Sequence, residues 1–280
     1  MEVTGDVARL RELVRSARQQ GCRIGCVPTM GALHEGHLSL MRECRKHVGY
    51  TVVWIFVNPT QFGPGEDLDK YPRPLEADLA ACRAEQVDCV FTPDVATVYP
   101  PGAQTWVTVE ELSKVLEGEH RPHHFRGVTT IVAKLFNLIL PDVAVFGAKD
   151  YQQQLLIRQM VRDLDFPIEI ITAPTVREAD GLALSSRNAY LSADERQAAL
   201  ALSRGLSLAE EAWKRGEDVA AVEQMLQTFL TNSPGVQLQY GVIRNPETLQ
   251  PITGRPASAV VLLAAYVGQT RLIDNRMIHS

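Results

Sequence analysis

The sequence predicts an α/β protein, with a Rossmann-like, doubly wound parallel sheet in an N-terminal domain and a smaller α+β C-terminal domain. Short, continuously apolar segments such as Thr51 to Val57 are typical of strands that are buried on both faces. Over roughly the first 175 residues these segments alternate with others whose apolar residues recur every three or four positions, as in amphipathic helices. After Arg177 the alternation ends, and two helical patterns precede three strand-like segments.

In the N-terminal part, predicted helices and strands follow one another closely. Helical spacing of apolar residues covers Val7 to Ala17, Leu38 to Val48, Leu75 to Cys82, Val128 to Ile139 and Leu155 to Met160. The second of these helices is expected to start near Gly36. Strands are predicted at Ile24 to Val27, Thr51 to Val57, Val87 to Phe91, Trp106 to Val109, Val143 to Phe146 and Ile168 to Ile171. Crossovers between such strands should be right-handed.

The C-terminal part begins with a helix-capping pattern. Ser192 followed by Glu195 is typical of a capping box and opens a long helix that reaches Trp213. A second helix is predicted from about Val219 to Leu230. Strands are predicted at Val236 to Ile243, Ala259 to Val267 and Arg271 to Asp274. We therefore expect domains at 1–176 and 177–280.

Composition excludes several broad classes. Among 280 residues, 28 are Lys or Arg and 33 are Asp or Glu, and this net charge of −5 argues against a dedicated nucleic-acid-binding protein. The longest apolar run, Ala259 to Val267, is about half of a membrane span, so no membrane partner is expected. The five cysteines show no C-x-x-C spacing, which favours reduced thiols and a cytoplasmic location.

The first candidate site segment is Pro28 to His37, between the first predicted strand and its helix. Ligands of open α/β sheets bind at the carboxyl ends of strands, and helix N-termini attract phosphate. Gly31 and Gly36 allow the backbone to approach a ligand closely. His34 and His37 are three residues apart, so their imidazoles can share one side of a helix and donate to phosphate oxygens. The competing interpretation is a capped helix with two exposed histidines.

Two further segments follow predicted strands at the same sheet edge. Asn58 and Gln61 are neutral hydrogen-bonding residues suited to the hydroxyls or carboxylate of a small substrate, although Asn-Pro is also a turn signal. Lys149 offers a positive charge to phosphate, and Asp150 either caps a helix or holds a magnesium-bound water. Gln153 lies one turn further along that helix and is expected to face the same cleft.

The fourth segment, Val176 to Asn188, lies at the expected domain junction. Ser185, Ser186 and Arg187 can clasp a triphosphate, and Gly181 allows a mobile loop. An ordinary hydrophilic linker is the competing interpretation of this segment.

A zinc site is a further alternative. His34 and His37 would need ligands such as His120, His123 or His124, but the H-x-x-H spacing differs from that of zincins and no carboxylate or cysteine stands at the usual offset. We therefore expect no direct protein ligands for a metal ion. The P-loop and G-x-G-x-x-G patterns are both absent, which disfavours those nucleotide sites.

Taken together, these segments resemble the pantothenate synthetase (pantoate–β-alanine ligase) family over almost the whole chain. The resemblance is carried, in the order and spacing of the family, by PTMGALHEGH, FVNPTQF, RPHHFRGV with KLFN, FGAKDYQQ and TVREADGLALSSRN. His34 to His37 also resembles the H-x-G-H signature of the wider nucleotidyltransferase superfamily. Ser185 to Arg187 resembles the mobile second signature of that superfamily.

The resemblance implies an ATP-dependent ligation with Mg²⁺. Pantoate is adenylated with release of pyrophosphate, and β-alanine then displaces AMP to give pantothenate. The chemistry of the reactants agrees with this route. A carboxylate is a poor acyl donor until it is adenylated, and the negative charge of ATP must be offset before another anion can approach. The resemblance also implies a homodimer, and a smaller domain that closes over the active site.

The resemblance assigns site residues one by one. Catalytic roles fall on His34, His37, Lys149 and Arg187, with His37 at the position of the proton donor. The expected ATP contacts are Met30, Gly31, Ala32, Leu33, His34, Glu35, Gly36, His37, Gly147, Ala148, Lys149, Asp150, Val176, Leu184, Ser185, Ser186 and Arg187. Gln61 is expected to contact pantoate and β-alanine, and Gln153 pantoate; Asn58 is a further candidate for pantoate. His123 to Arg126 are placed near the site by analogy.

Two other functions remain open at this point. A nucleotidyltransferase for a phosphorylated acceptor would keep the fold but need extra cationic groups, whereas Asn58, Gln61 and Gln153 are neutral. A regulatory nucleotide-binding module without turnover would not need the set His34, His37, Lys149 and Arg187, which stabilises charge in a transition state.

Overall fold

The computed structural model describes all 280 residues, which form two compact units. Unit one comprises residues 1–148 and 152–174, and unit two comprises residues 149–151 and 175–280. No helix in the described chain combines the length and the apolar character needed to span a bilayer.

Unit one is built on a six-stranded parallel sheet with the order β1-β4-β3-β2-β5-β6. Its strands are β1 (Glu2–Thr4), β2 (Ile24–Thr29), β3 (Tyr50–Ile55), β4 (Cys89–Phe91), β5 (Val143–Gly147) and β6 (Glu169–Ala173). From the centre, β2 to β4 proceed toward one edge, and β5 and β6 proceed toward the other. This reversal confirms the predicted Rossmann-like, doubly wound architecture.

Helices cover both faces of this sheet. They are α1 (Val7–Gln19), α2 (Glu35–Arg45), α3 (Leu75–Ala84), α4 (Val95–Val98), α5 (Glu117–His120), α6 (His124–Ile139) and α7 (Tyr151–Asp163). Apolar residues of α1, α6 and α7 pack with Ile24 and Cys26 on one face. Those of α2 and α3 pack with Val27 on the other face, because successive strand residues point to opposite sides.

Helix α2 lies close to β2 because residue 25 is glycine. An added Cβ at Gly25 would lie only 2.3 Å from Cys44 Sγ and 2.7 Å from a methyl carbon of Val48. The absence of a side chain at Gly25 therefore lets the C-terminal end of α2 pack directly on the strand that precedes it.

Unit two contains two long helices and an antiparallel sheet, as predicted for an α+β fold. The elements are α8 (Ala193–Lys214), α9 (Val219–Thr231), β7 (Val236–Arg244), β8 (Ser258–Val267) and β9 (Thr270–His279), with the strand order β7-β8-β9. The predicted capping box of α8 is present. Ser192 Oγ accepts from Glu195 N at 3.3 Å, and Ser192 N donates to Glu195 Oε2 at 2.8 Å.

The structure corrects several details of the predicted elements. Trp106 to Val109 is not a strand: Val107 N donates to Thr130 Oγ1 at 3.0 Å, and Val107 O accepts from Thr129 Oγ1 at 2.7 Å. Threonine side chains of α6 thus form the hydrogen bonds that a neighbouring strand would otherwise make with Val107. Strand β1 was not predicted, since its three residues show no apolar pattern. Strand β9 runs well beyond Asp274 because it pairs with β8 along its whole length.

Candidate active site

The candidate site lies at the carboxyl edge of the sheet, where the strand order reverses between β2 and β5. Ligands of doubly wound folds bind at this position because the helices that follow the two central strands diverge to opposite faces. The segment after β2 leads into α2, and the segment after β3 forms a 3₁₀ turn at Pro59–Gln61. The segment after β5 contains Ala148, whose N–H donates to Ala173 O at 2.8 Å.

His34 and His37 form a reciprocal cap at the start of α2. His34 is the N-cap residue, and its Nδ1 accepts from Gly36 N at 3.1 Å. His37 Nδ1 accepts from His34 N at 3.3 Å, and the two ring centroids are 4.1 Å apart. The structure therefore brings together the two histidines that the sequence singled out.

This cap determines the tautomer of both rings. A nitrogen that accepts a backbone N–H carries no proton, so each neutral imidazole has its proton on Nε2. Both rings thus present Nε2–H as a donor, with the positive end of the helix dipole behind them. The arrangement is suited to phosphate oxygens and to negative charge that develops in a transition state.

The loop before this helix is held by Asp78, a residue that the sequence analysis did not select. Asp78 Oδ2 accepts from Ala32 N at 2.9 Å, and Oδ1 accepts from Leu33 N at 2.7 Å. Burial raises the pKa of Asp78, and the bonds from Leu33 and Ala32 partly oppose that shift. The backbone N–H groups of Ala32 and Leu33 are therefore already engaged within the chain. Asp78 lies on the buried face of α3 with Leu79 and Cys82, an unusual place for a carboxylate.

Gln61 lies at the end of the 3₁₀ turn and contacts the loop after β2. Its Nε2 donates to Met30 Sδ at 3.1 Å, so two predicted site residues on different loops meet. The carbonyl oxygen of Gln61 accepts from Arg121 Nη2 at 3.2 Å and from His124 Nδ1 at 2.9 Å. Both main-chain and side-chain atoms of Gln61 are therefore positioned by neighbours.

Asn58 is buried, with 1% exposure, and every polar atom of its side chain is engaged. Its Nδ2 donates to Gln61 Oε1 at 3.1 Å and to Gly127 O at 3.2 Å. Its Oδ1 accepts from Tyr99 OH at 2.8 Å and from Thr60 Oγ1 at 3.0 Å. With its donors and acceptor engaged, Asn58 is placed to orient Gln61, and its contact with pantoate stays a prediction.

Three consecutive glutamines open α7, and they differ in their surroundings. Gln152 is buried and donates from Nε2 to Leu112 O at 2.7 Å and to Val115 O at 2.8 Å. Gln154 is buried and accepts at Oε1 from Arg158 Nε at 2.9 Å. Gln153 is half-buried, and its side-chain amide makes no hydrogen bond within the chain. The residue that the sequence selected is thus the one whose amide is available to a ligand.

Seven of the predicted ATP residues belong to unit two: Lys149, Asp150, Val176, Leu184, Ser185, Ser186 and Arg187. A hairpin brings Val176 and Leu184 together through the bond from Leu184 N to Val176 O at 3.0 Å. Its base is held by Arg177, which donates to both carboxylate oxygens of buried Asp274 at 2.7 and 2.8 Å. Beyond it, Ser185 Oγ accepts from Arg187 N at 3.2 Å and caps a 3₁₀ segment at Ser186–Tyr190. Lys149 is joined to the same unit, because its carbonyl accepts from Asn275 Nδ2 at 2.7 Å.

The segment Arg121 to Arg126 has two different environments. Arg121 Nε donates to Glu66 Oε1 at 2.8 Å, and both residues are largely buried. Burial and the nearby charge of Arg121 lower the pKa of His124 to about 4, although the bond to Gln61 opposes this. Arg126, in contrast, is exposed and lies 4.2 Å over the ring of Trp106, and His123 is exposed as well. Of these residues, Arg121 and His124 contact the Gln61 turn.

No group of three or more His, Cys, Asp or Glu side chains in the described chain is placed to hold a metal ion. His34 and His37 therefore have no third ligand beside them of the kind that the zinc hypothesis requires.

Fold and site together define a class: a doubly wound α/β protein with imidazole donors and neutral amides at the edge where such folds bind ligands. Comparison with known proteins then narrows the class. The sequence profile described as Pantoate-beta-alanine ligase matches residues 2–277. The chain belongs to the pantoate–β-alanine ligase family, and it is an enzyme of that kind.

Two pantothenate synthetases are similar in sequence to this chain along almost its full length. It is 52% identical over 276 residues to the pantothenate synthetase of Moorella thermoacetica, covering 98% of both proteins. It is 54% identical over 281 residues to that of Anaeromyxobacter dehalogenans, covering 98% of this chain and 97% of the relative.

Solved structures show the same fold. Pantothenate synthetase from Thermus thermophilus matches with a TM-score of 0.96 at 45% identity, covering 100% of both chains. The ligase from Francisella tularensis, complexed with β-γ ATP and β-alanine, matches with a TM-score of 0.82 at 33% identity. That match covers 99% of this chain and 97% of the other.

The low pKa of His124 predicts a stability that depends on pH. Between pH 6.5 and about 4 the unfolded chain binds a proton at this residue that the folded chain does not. The free energy of unfolding should therefore fall by about 2 kcal/mol between pH 7.5 and pH 5 through this residue alone. Urea unfolding at both pH values measures it. The free energy of unfolding should fall less in His124→Gln than in the parent chain. The control His279→Gln, at an exposed residue, should show the same fall as the parent chain. An equal fall in all three proteins would contradict the prediction.

Proposed function

We propose that this enzyme ligates pantoate and β-alanine to pantothenate in two steps, through a pantoyl adenylate. In the first step a pantoate carboxylate oxygen bonds to the α-phosphorus of ATP, and the bond to the β-phosphate oxygen breaks to release pyrophosphate. In the second step the β-alanine nitrogen bonds to the acyl carbon and loses a proton, the bond from the acyl carbon to the phosphate oxygen breaks, and AMP leaves with that oxygen. The family assignment covers the ligase activity, and the adenylate intermediate, AMP and pyrophosphate are our inference.

The observation that carries the proposal is the pair of imidazoles at the start of α2. His34 and His37 both accept backbone N–H groups at Nδ1, so each neutral ring carries its proton on Nε2, and the pair caps α2 at the sheet edge where nucleotides bind. Adenylation concentrates negative charge on the α-phosphate and on the leaving pyrophosphate, and preorganised donors stabilise such charge strongly. We assign His37 to proton donation or charge stabilisation at this position.

The remaining roles follow from charge and exposure. Lys149 and Arg187 supply positive charge for the phosphates, with Ser185 and Ser186 as hydroxyl donors. Gln61 and Gln153 supply neutral amides, which suit the hydroxyl and carboxylate groups of pantoate better than those of a phosphorylated acceptor. Asp150, an exposed carboxylate beside Lys149, is the residue suited to hold a water of Mg²⁺, which would offset phosphate charge when bound. The ATP-binding role of residues 1–176, closure by residues 177–280, a homodimer and a cytoplasmic location belong to the same proposal.

The decisive experiment follows AMP and pyrophosphate released from ATP and Mg²⁺, with pantoate and with or without β-alanine. We expect AMP release to require both acids, and pantoate alone to support exchange of labelled pyrophosphate into ATP. Pantoate-independent turnover with a phosphorylated acceptor would instead favour a nucleotidyltransferase. Nucleotide binding without any turnover would favour a regulatory module.

His37→Ala should lower the rate of pantoate-dependent pyrophosphate exchange by about 100-fold or more, because a preorganised donor to the transition state is lost. The matched control is His47→Ala, since His47 follows the opposite end of the same helix and its ring hydrogen-bonds with the Glu43 carboxylate at 3.1 Å. The control should keep the parent rate. A folded His37→Ala enzyme with near-normal exchange would remove His37 from the reaction.

Gln153→Ala should raise the KM for pantoate by about 10- to 100-fold, the equivalent of one hydrogen bond to a charged group. The control is Gln159→Ala in the same helix, because Gln159 Nε2 donates to exposed Asp163 at 2.7 Å. Steady-state kinetics with varied pantoate would separate the two variants. An unchanged KM in Gln153→Ala would assign pantoate to other groups.

A further inference from the structure

Helix α3 contributes a buried carboxylate to the loop that leads into α2. Asp78 is 3% exposed, and each of its two oxygens accepts one of two consecutive backbone N–H groups, those of Ala32 and Leu33. Asp78 forms no ion pair with Lys, Arg or His, and its burial raises its pKa. A buried carboxylate without a positive partner is costly, so its place here calls for a specific explanation.

The loop conformation explains why two N–H groups point to one place. Gly31 has φ +81° and Ala32 has φ +50°, two successive left-handed residues. Successive backbone N–H groups in such a turn converge on a concavity that attracts anions. The concavity is filled from within the protein: a Cβ at Gly31 would lie 2.9 Å from Asp78 Oδ2. The anion bound by this loop is thus a side chain rather than a phosphate.

The carboxylate is itself held on a rigid support. Leu79 and Cys82, on the same face of α3, are buried in the core cluster that also contains Val27 of β2 and Met41 of α2. Asp78 therefore links the loop to the same core that fixes the strand before it and the helix after it. His34 comes directly after Leu33 and caps α2, so the position of Leu33 N sets the starting point of the histidine pair.

We propose that Asp78 is a positioning residue for adenylation: it occupies the N–H groups of Ala32 and Leu33 and thereby holds His34 and His37 in the reciprocal cap. The phosphate groups of ATP are then met by imidazole side chains and not by these two loop amides. The rate part of this inference rests on the proposed adenylation, but its structural part concerns the free enzyme alone.

Asp78→Asn tests the proposal with little change in volume. The amide keeps one acceptor oxygen but turns an NH₂ group toward the other backbone N–H, so one of the two bonds is lost. We expect kcat for pantoate-dependent pyrophosphate exchange to fall about 10- to 100-fold, while the KM for ATP changes less than about threefold, as for donors that act mainly in the transition state. Asp78→Ser, which is smaller and also offers a single acceptor, should behave alike and serves if the asparagine variant does not fold.

Asp88→Asn is the matched control. Asp88 Oδ2 also accepts a backbone N–H, that of Thr51 at 2.8 Å, but at the amino edge of the sheet, away from the loop after β2. This variant should keep the parent kcat even where its thermal stability falls. An equal fall of kcat in Asp78→Asn and Asp88→Asn would show a general effect of weakening the sheet and overturn the proposal.

A spectroscopic readout needs no substrate. Long-range ¹⁵N–¹H correlation spectra of the seven histidines, assigned with His34→Gln and His37→Gln, report which ring nitrogen carries the proton. The parent chain should show both rings protonated at Nε2 alone, and Asp78→Asn should shift the His34 and His37 signals toward mixed tautomers. Unchanged signals together with parental kcat would overturn the inference. If the parent chain catalyses no exchange at all, the proposed function fails instead, and the spectra still decide the role of Asp78.

Discussion

Strands β2 and β5 lie side by side at the centre of the sheet, but the helices that follow them pack on opposite faces. No crossover can then cover the space between their carboxyl ends, and this opening is a consequence of the chain connectivity rather than of any one side chain. The groups that surround it come from segments far apart in the sequence. The histidine cap and the Gln61 turn both lie on segments that follow strands at this edge.

Polar groups within the protein do much of the positioning around this opening. Asn58 engages both its donors and its acceptor to direct Gln61, and Asp78 engages both oxygens to hold the loop before α2. A buried network that is fully satisfied is rigid, since any displacement leaves a polar group without a partner. Gln61 and the loop before α2 therefore have orientations that are determined by neighbours within the protein.

The sequence alone was sufficient for most of the fold, because periodicity and apolar runs encode long elements well. It was insufficient where side chains replaced strand partners, as the threonines of α6 do for Val107, and for β1, which is too short to show a pattern. For the site, chemistry-bearing residues in loops after strands were recognisable. Asp78 was not, since a carboxylate on an apolar helix face reveals its role only when the loop that it binds is folded against it. Asn58 was recognised as a candidate ligand contact, whereas its bond to Gln61 is visible only in the structure.

The three glutamines at the start of α7 have a consequence for how this helix tolerates length changes. One residue inserted or deleted before Gln152 would rotate the helix by about 100° and shift it by about 1.5 Å. Another glutamine would then take the place of Gln153, so the amide at that position would survive. The apolar residues further along, Leu156, Ile157 and Met160, would instead turn out of the core. The packing of its apolar residues therefore determines the register of α7. A helix shifted by one residue would keep a glutamine at the position of Gln153 but would be destabilised by poor packing.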